Sequence, residues 1–174
     1  PSIPEGQNYL WHTERNKDGG KPLFGWRRRY WNFLLKLAKD LPAWTLQAQP
    51  GSATGPFHWN NRKLSGRELC RLQTIPEKVT ICADRHIAQK LVGNAVPSLL
   101  GEVLAREMLA QFFGFASINE RLTLEPTFRD DCPPPAPVSG VPAKYLKLAG
   151  RHSPHPGTGK GNRASKWSQV TDPT

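Results

Sequence analysis

The sequence contains only three cysteines among 174 residues, Cys70, Cys82 and Cys132, and no Cys-x-x-Cys pair. Cysteines so few and so widely spaced build neither a disulfide framework nor a zinc site, so no metal is expected. Such usage fits a cytosolic compartment. No apolar run approaches the roughly 20 residues of a membrane-spanning helix. Nor does the chain open with the basic, apolar and small-residue order of a secretory signal, so no membrane partner is expected. Internal repeats are absent as well. Methionine occurs once and the first residue is Pro1, which makes part of a longer protein the expectation.

Acidic residues are also in short supply. Lys plus Arg outnumber Asp plus Glu by 24 to 14, a formal charge of +10. A surplus of that size favours a polyanionic partner, nucleic acid first, through phosphate neutralisation and counterion release. The apolar share of 37% lies below the roughly 45–50% of globular chains, an average that counts glycine. One core is therefore the most expected, with part of the chain unpacked. After about Pro126 the composition turns to proline, glycine and serine with no sustained apolar period, as in a tail that cannot offset its ordering entropy. Within that tail Tyr145 to Leu148 alternates like a short strand able to dock on a partner or on another part of the protein. The run His155 to Gly161 imitates a phosphate loop but fails its pattern, with Pro154 in place of the first glycine and Gly161 in place of Ser/Thr.

Ahead of the tail, Arg29 to Asp40 carries Tyr30, Phe33, Leu34 and Leu37 at helical spacing and stops at Pro42, which predicts a helix. Trp44 to Gln49 alternates as a strand, with Trp44, Leu46 and Ala48 on one face and Thr45, Gln47 and Gln49 on the other. A loop from Gly51 to Gly55 follows. Ser65 and Glu68 form a capping box for a short helix that ends before Pro76. A second helix is predicted from Arg85 to Val92, capped by Asp84 and ended by Gly93 in the left-handed conformation. The third starts at Pro97, with Val96, Leu100, Val103, Leu104 and Met108 along one face and Leu99, Leu109, Phe112 and Phe113 widening it. Such a surface calls for packing between two layers.

Arg62-Lys63-Leu64-Ser65-Gly66-Arg67-Glu68-Leu69-Cys70-Arg71-Leu72-Gln73-Thr74-Ile75-Pro76 resembles motif IX of the DNA cytosine-5 methyltransferases. Gln89 with Gly93-Asn94-Ala95-Val96-Pro97 resembles motif X, with one extra residue between Gln and Gly. Upstream, Thr45-Leu46 and the loop after it resemble the Thr-Leu dipeptide and recognition loop of that family's target-recognition domain. The resemblance spans roughly residues 40–112. It implies an α/β, S-adenosylmethionine-dependent methyltransferase of two domains. This chain then holds part of the small recognition domain and motif IX over residues 1–76. Residues 77–114 carry motif X back to the cofactor domain, and 115–174 form a disordered, Pro/Gly-rich basic tail.

The resemblance also implies roles. Arg62, Glu68, Arg71 and Gln73 would organise the recognition domain, although surface ion pairing would call for the same charges. Cys70 reads as a small buried residue and not as a nucleophile. Asn94, Ala95 and Val96 would approach the amino-acid end of S-adenosylmethionine, helped by free amides at the following helix start; an ordinary linking turn is the plainer reading. Double-stranded DNA would meet Thr45, Gln47, Gln49, Gly51 and Ser52, since an amide can pair with a base edge and a glycine loop admits close approach. Arg28 belongs to the cluster Arg27, Arg28, Arg29 with Trp26, Tyr30 and Trp31, which suits phosphates or stacking but equally a solvated basic helix start.

The family's reaction uses a thiolate in a Pro-Cys motif that attacks C6 of a flipped cytosine, and no Pro-Cys occurs here. The Phe-x-Gly-x-Gly, Glu-Asn-Val and Gln-x-Arg-x-Arg motifs are missing too. The chain is therefore expected to lack a catalytic residue and to be inactive alone. Its remaining catalytic portion would lie either in the same polypeptide or on a separate subunit. The implied setting is a bacterial restriction-modification system, in the cytoplasm at the nucleoid. A non-enzymatic DNA-binding module has no use for motif X, and a basic scaffold or RNA-binding protein has no use for either motif.

Overall fold

A computed structural model describes residues 1–16, 22–25, 32–115, 121–124 and 132–150. Four α-helices occur among them: α1 (Gly66–Leu72), α2 (Arg85–Asn94), α3 (Ser98–Phe113) and the single turn α4 (Ala143–Leu146). A 3₁₀ turn at Tyr9–His12 is capped by the Asn8 side chain. Among the described residues the extended segments form only isolated bridges, Phe24 with Gly150, Phe33 with Thr54 and Lys36 with Phe57. The strand half of the α/β expectation is thus not met in the described part. Nor is any described helix long and apolar enough to cross a membrane.

The core gathers Leu37, Leu46, Leu64, Leu69, Cys70 and Val92, with Trp59, Leu72, Ile75 and Ile81 packed against it. Helices α1 and α2 pack together around it. Both start where the sequence places them. The Ser65 hydroxyl accepts from the Glu68 amide while the Glu68 carboxylate returns to the Ser65 amide, which satisfies two amides that a helix start otherwise leaves open. The Asp84 carboxylate accepts from the amides of His86 and Ile87.

Four local expectations need correction. The described part of the predicted helix, residues 32–40, is not helical. Its backbone is bonded to 53–57 instead, through Leu34 N to Ala53 O at 2.9 Å, Phe57 N to Leu35 O at 2.8 Å and Leu37 N to Phe57 O at 2.9 Å. Leu34 sits at φ 53°, outside any right-handed helix. Gly55 allows this approach, because an added Cβ would stand 2.3 Å from the Leu35 carbonyl oxygen. Leu35, Lys36 and Leu37 are all buried, a three-residue burial that neither helical nor strand spacing foretells.

Trp44 to Gln49 forms no strand, since Ala48 and Gln49 lie in a bend, and its supposed inner face is split: Leu46 is 7% exposed and Trp44 48%. Gly93 does not end α2 in a left-handed turn. It lies inside the helix, which runs on to Asn94 and is capped by Ala95. Tyr145 to Leu148 is no strand either, since α4 occupies its first half. Tyr145, Leu146 and Leu148 are exposed, and the chain returns to residues 23–25 only at Gly150, whose amide donates to Leu23 O at 2.8 Å and whose carbonyl accepts from Gly25 N at 3.2 Å. The phosphate-loop imitation at His155 to Gly161 lies outside the described residues.

Helix α3 begins one residue after Pro97 and ends at Gly114 in the left-handed conformation, φ 67°. None of its residues is buried. Val96, Leu100, Val103, Leu104, Met108, Leu109, Phe112 and Phe113 are all exposed, so the apolar surface foreseen in the sequence has no cover among the described residues.

Candidate functional site

Glu68 organises the start of α1. Its carboxylate receives Arg62 through both guanidinium nitrogens, at 2.8 and 2.6 Å, and also the amide and hydroxyl of Ser65 at 2.8 and 2.9 Å. The Arg62 fork, ahead of the Ser65 contacts, holds the Glu68 pKa at about 2. Beneath it lies His58, buried, with Nε2 3.6 Å from the Glu68 carboxylate and its ring against Trp59. Burial first, then Arg62, push His58 below the usual histidine range. Arg71 instead pairs with Glu77 at the exposed end of the helix. Arg62 pairs with Glu68 and Arg71 with Glu77, both at the surface of the helix.

Gln73, one residue past α1, reaches across to the second motif. Its side-chain amide donates to the carbonyls of Val92 and Ala95 at 2.9 and 3.0 Å, the first of which also accepts from the Ala95 amide that closes α2. Its own carbonyl accepts from the amide of Ser98 at 3.0 Å. Next to it the Thr74 hydroxyl accepts from the amide of Leu99 at 2.8 Å and donates to Gln73 O at 2.7 Å. The end of α2 and the start of α3 are thus both tied to residues 73–74. Thr74 has φ 53°, a costly conformation for a β-branched residue that its three-way bonding offsets. No local sequence signal marks Thr74 or His58 for these roles.

Asn94 closes α2 and is exposed, Ala95 is half-buried, and Val96 is 65% exposed. They stand together at the mouth of the α2–α3 junction. The free amides expected at the start of α3 are mostly engaged: Ser98 by Gln73, Leu99 by Thr74 and Gly101 by the Pro97 carbonyl. Among the described residues only the Leu100 amide of that first turn is left to an outside acceptor.

The recognition candidates follow one another along the chain from Thr45 to Ser52. Thr45, Gln49, Gly51 and Ser52 are exposed and Gln47 is half-buried. The loop is closed by a turn from Thr54 N to Gly51 O at 3.0 Å. Arg28 and the basic aromatic cluster around it lie outside the described residues. Gln89 and Arg85 of α2 support this segment: Gln89 Nε2 donates to Gln47 O at 2.6 Å while Arg85 donates to Gln89 Oε1 at 3.3 Å and to Leu64 O at 2.7 Å. Arg85 was legible only as a helix start.

Residues 5–110 match the family model for C-5 cytosine-specific DNA methylase. The chain is 44% identical over 119 residues to the type II methyltransferase M.SacI of Streptomyces achromogenes, covering 63% of this chain and 30% of that protein. It is 30% identical over 93 residues to M.BbvI of Brevibacillus brevis, 52% of this chain and 25% of the relative. Against M1.HphI of Haemophilus parahaemolyticus it is 32% identical over 90 residues, 51% and 22% respectively. It thus spans under a third of each of these relatives. No solved structure gives a significant match. With a family model covering well over half of its residues, the chain belongs to the C-5 cytosine-specific DNA methylases.

Proposed function

We propose that this chain supplies target recognition and one edge of the cofactor site to a DNA cytosine-5 methyltransferase of a type II restriction-modification system. The observation that carries the reading is the Gln73 bridge, which joins the motif IX helix to the carbonyls of Val92 and Ala95 beside Asn94. One small core thereby holds an exposed polar loop on one side and the motif X junction on the other.

In this reading double-stranded DNA meets Thr45, Gln47, Gln49, Gly51 and Ser52, with Arg28 on the phosphates and the surplus positive charge steering the encounter. S-adenosylmethionine, when bound, supplies the methyl group. The residues present fit one edge of its site: Asn94 offers an exposed amide side chain, Val96 an apolar contact and α3 the positive end of its dipole with the Leu100 amide. Gln73 supports that edge, while Arg62, Glu68 and Arg71 organise the recognition domain without touching substrate. The sequence contains no Pro-Cys dipeptide, so the attack on cytosine belongs to residues outside it, in the same polypeptide or in a companion subunit. A self-contained DNA-binding module would account for the charge but leaves the bare face of α3 without a purpose.

The test is made in the active enzyme that contains this sequence. Gln47→Ala and Gln49→Ala should change which duplexes are methylated, and Asn94→Ala should raise the KM for S-adenosylmethionine about tenfold, the scale of one lost hydrogen bond to a charged group. Unaltered target choice would remove the recognition role, and unaltered cofactor affinity the cofactor role.

A further inference from the structure

The recognition candidates rest on a helix assigned to the other motif, and the contact is closer than side-chain packing. Gln89 is 5% exposed, and its amide nitrogen donates to the backbone carbonyl of Gln47 at 2.6 Å. Arg85 holds the opposite end of that amide through Oε1, which fixes its orientation so that the nitrogen faces Gln47. One turn further along the same face, Gly93 lies directly on the neighbouring backbone. A Cβ there would stand 2.5 Å from both N and Cα of Ala48 and 2.7 Å from the Gln47 carbonyl carbon. Any side chain at 93 must therefore displace the segment, since it meets backbone and not a movable rotamer. Gln89 and Gly93 are four residues apart, so both project from one face of α2.

We infer that Gln89 and Gly93 are positioning residues for target recognition: they set the height and rotation of the Gln47–Ala48 peptide, and with it the direction in which Gln47 and Gln49 are presented. Neither needs to touch DNA. A hydrogen-bond readout of a base edge tolerates little error in donor position, so a small shift of this peptide loosens discrimination between targets before it abolishes binding. The inference rests on the recognition reading proposed above.

The experiment uses the active enzyme and compares kcat/KM for the cognate duplex with that for a duplex altered at one base pair. Gly93→Ala and Gln89→Met should lower this discrimination ratio about tenfold, the scale on which single base pairs are distinguished, while the KM for S-adenosylmethionine stays within twofold. Arg85→Lys is the milder probe, because it leaves Gln89 and Gly93 in place and loosens only the bonds to Gln89 Oε1 and Leu64 O, and should lower the ratio less. A role in stability alone reduces the active fraction, depresses both duplexes equally and leaves the ratio unchanged. An unchanged ratio in folded Arg85→Lys and Gly93→Ala enzymes therefore overturns the proposal, whatever happens to total activity. If Gln47→Ala and Gln49→Ala change target choice while these variants do not, the recognition reading stands and the positioning role falls. If these variants change the ratio while Gln47→Ala and Gln49→Ala do not, positioning stands and the reading passes to other residues of the loop.

Discussion

Glu68 concentrates three obligations in one carboxylate, as capping partner of Ser65, ion-pair partner of Arg62 and neighbour of buried His58. Its pKa of about 2 against an ordinary 4.5 makes it a source of pH-dependent stability. The folded value is depressed, so the contribution is fully present above about pH 4.5 and is lost as pH falls towards 2. Arg62 is half exposed, with 47% of its side-chain surface accessible, so solvent screening keeps the effect modest. Glu68→Gln keeps a cap acceptor but removes the charge. The variant should be less stable than the parent at neutral pH, and the two should converge below about pH 2, as followed by denaturant unfolding at a series of pH values. A constant gap across that range would show that the ion pair contributes nothing. The capping box was legible from Ser65 and Glu68 alone because it is closed within four residues; His58 was not, because only tertiary packing brings it under that carboxylate.

Helix α2 and helix α3 each contain an internal glycine, and the two have opposite reasons to be there. Gly93 is required by the 2.5 Å approach of Ala48, whereas at Gly101 an added Cβ meets nothing within 4 Å. The sequence shows glycine as permissive and suggests a helix end, so Gly93 was read as a terminator. Its true constraint comes from residues 45 positions away in the chain and could not appear in a local pattern. The same logic explains the missing helix at 32–40, where apolar spacing agreed with a helix but bonding to residues 53–57 prevailed over propensity. Starts fared better than interiors, since Ser65 and Asp84 cap through their immediate neighbours. The recognition candidates and the motif X junction were legible as sequence segments, yet their joining through Gln73 and Gln89 was not. Alanine substitution should separate the two glycines. Gly101→Ala should stabilise the chain by about 0.5–1 kcal/mol through helix propensity, and Gly93→Ala should destabilise it by about 1–3 kcal/mol through overpacking. Thermal or denaturant unfolding of both variants gives the signs; equal signs would refute the contrast.

At the scale of the molecule the unresolved demand is α3. It is 16 residues long, buries none of them and carries Leu100, Val103, Leu104, Met108, Phe112 and Phe113 outward. Isolated helices of about that length are marginal in water, and an apolar stripe of this kind marks an interaction surface. Among the described residues, the hydrogen bonds that tie it to other segments run from Ser98 to Arg106, whose guanidinium donates to Arg121 O at 3.3 Å. Gln73 and Thr74 take the first two amides, and Glu102 ties the helix to Thr123 and Leu124 through bonds of 2.7 to 3.0 Å. The last turns, from Glu107 to Phe113, should therefore open far more readily than the α1–α2 core around Leu69 and Val92, and their amides should exchange with solvent deuterium much faster in this chain alone. If the proposed catalytic portion is the second layer that this helix calls for, adding it should slow exchange across Glu107 to Phe113 while leaving Leu69 and Val92 unchanged. Protection that rises with the concentration of this chain alone would instead assign the face to a second copy of itself, and protection already equal to the core in dilute chain would show that α3 needs no cover, which would remove the main physical argument for a missing layer.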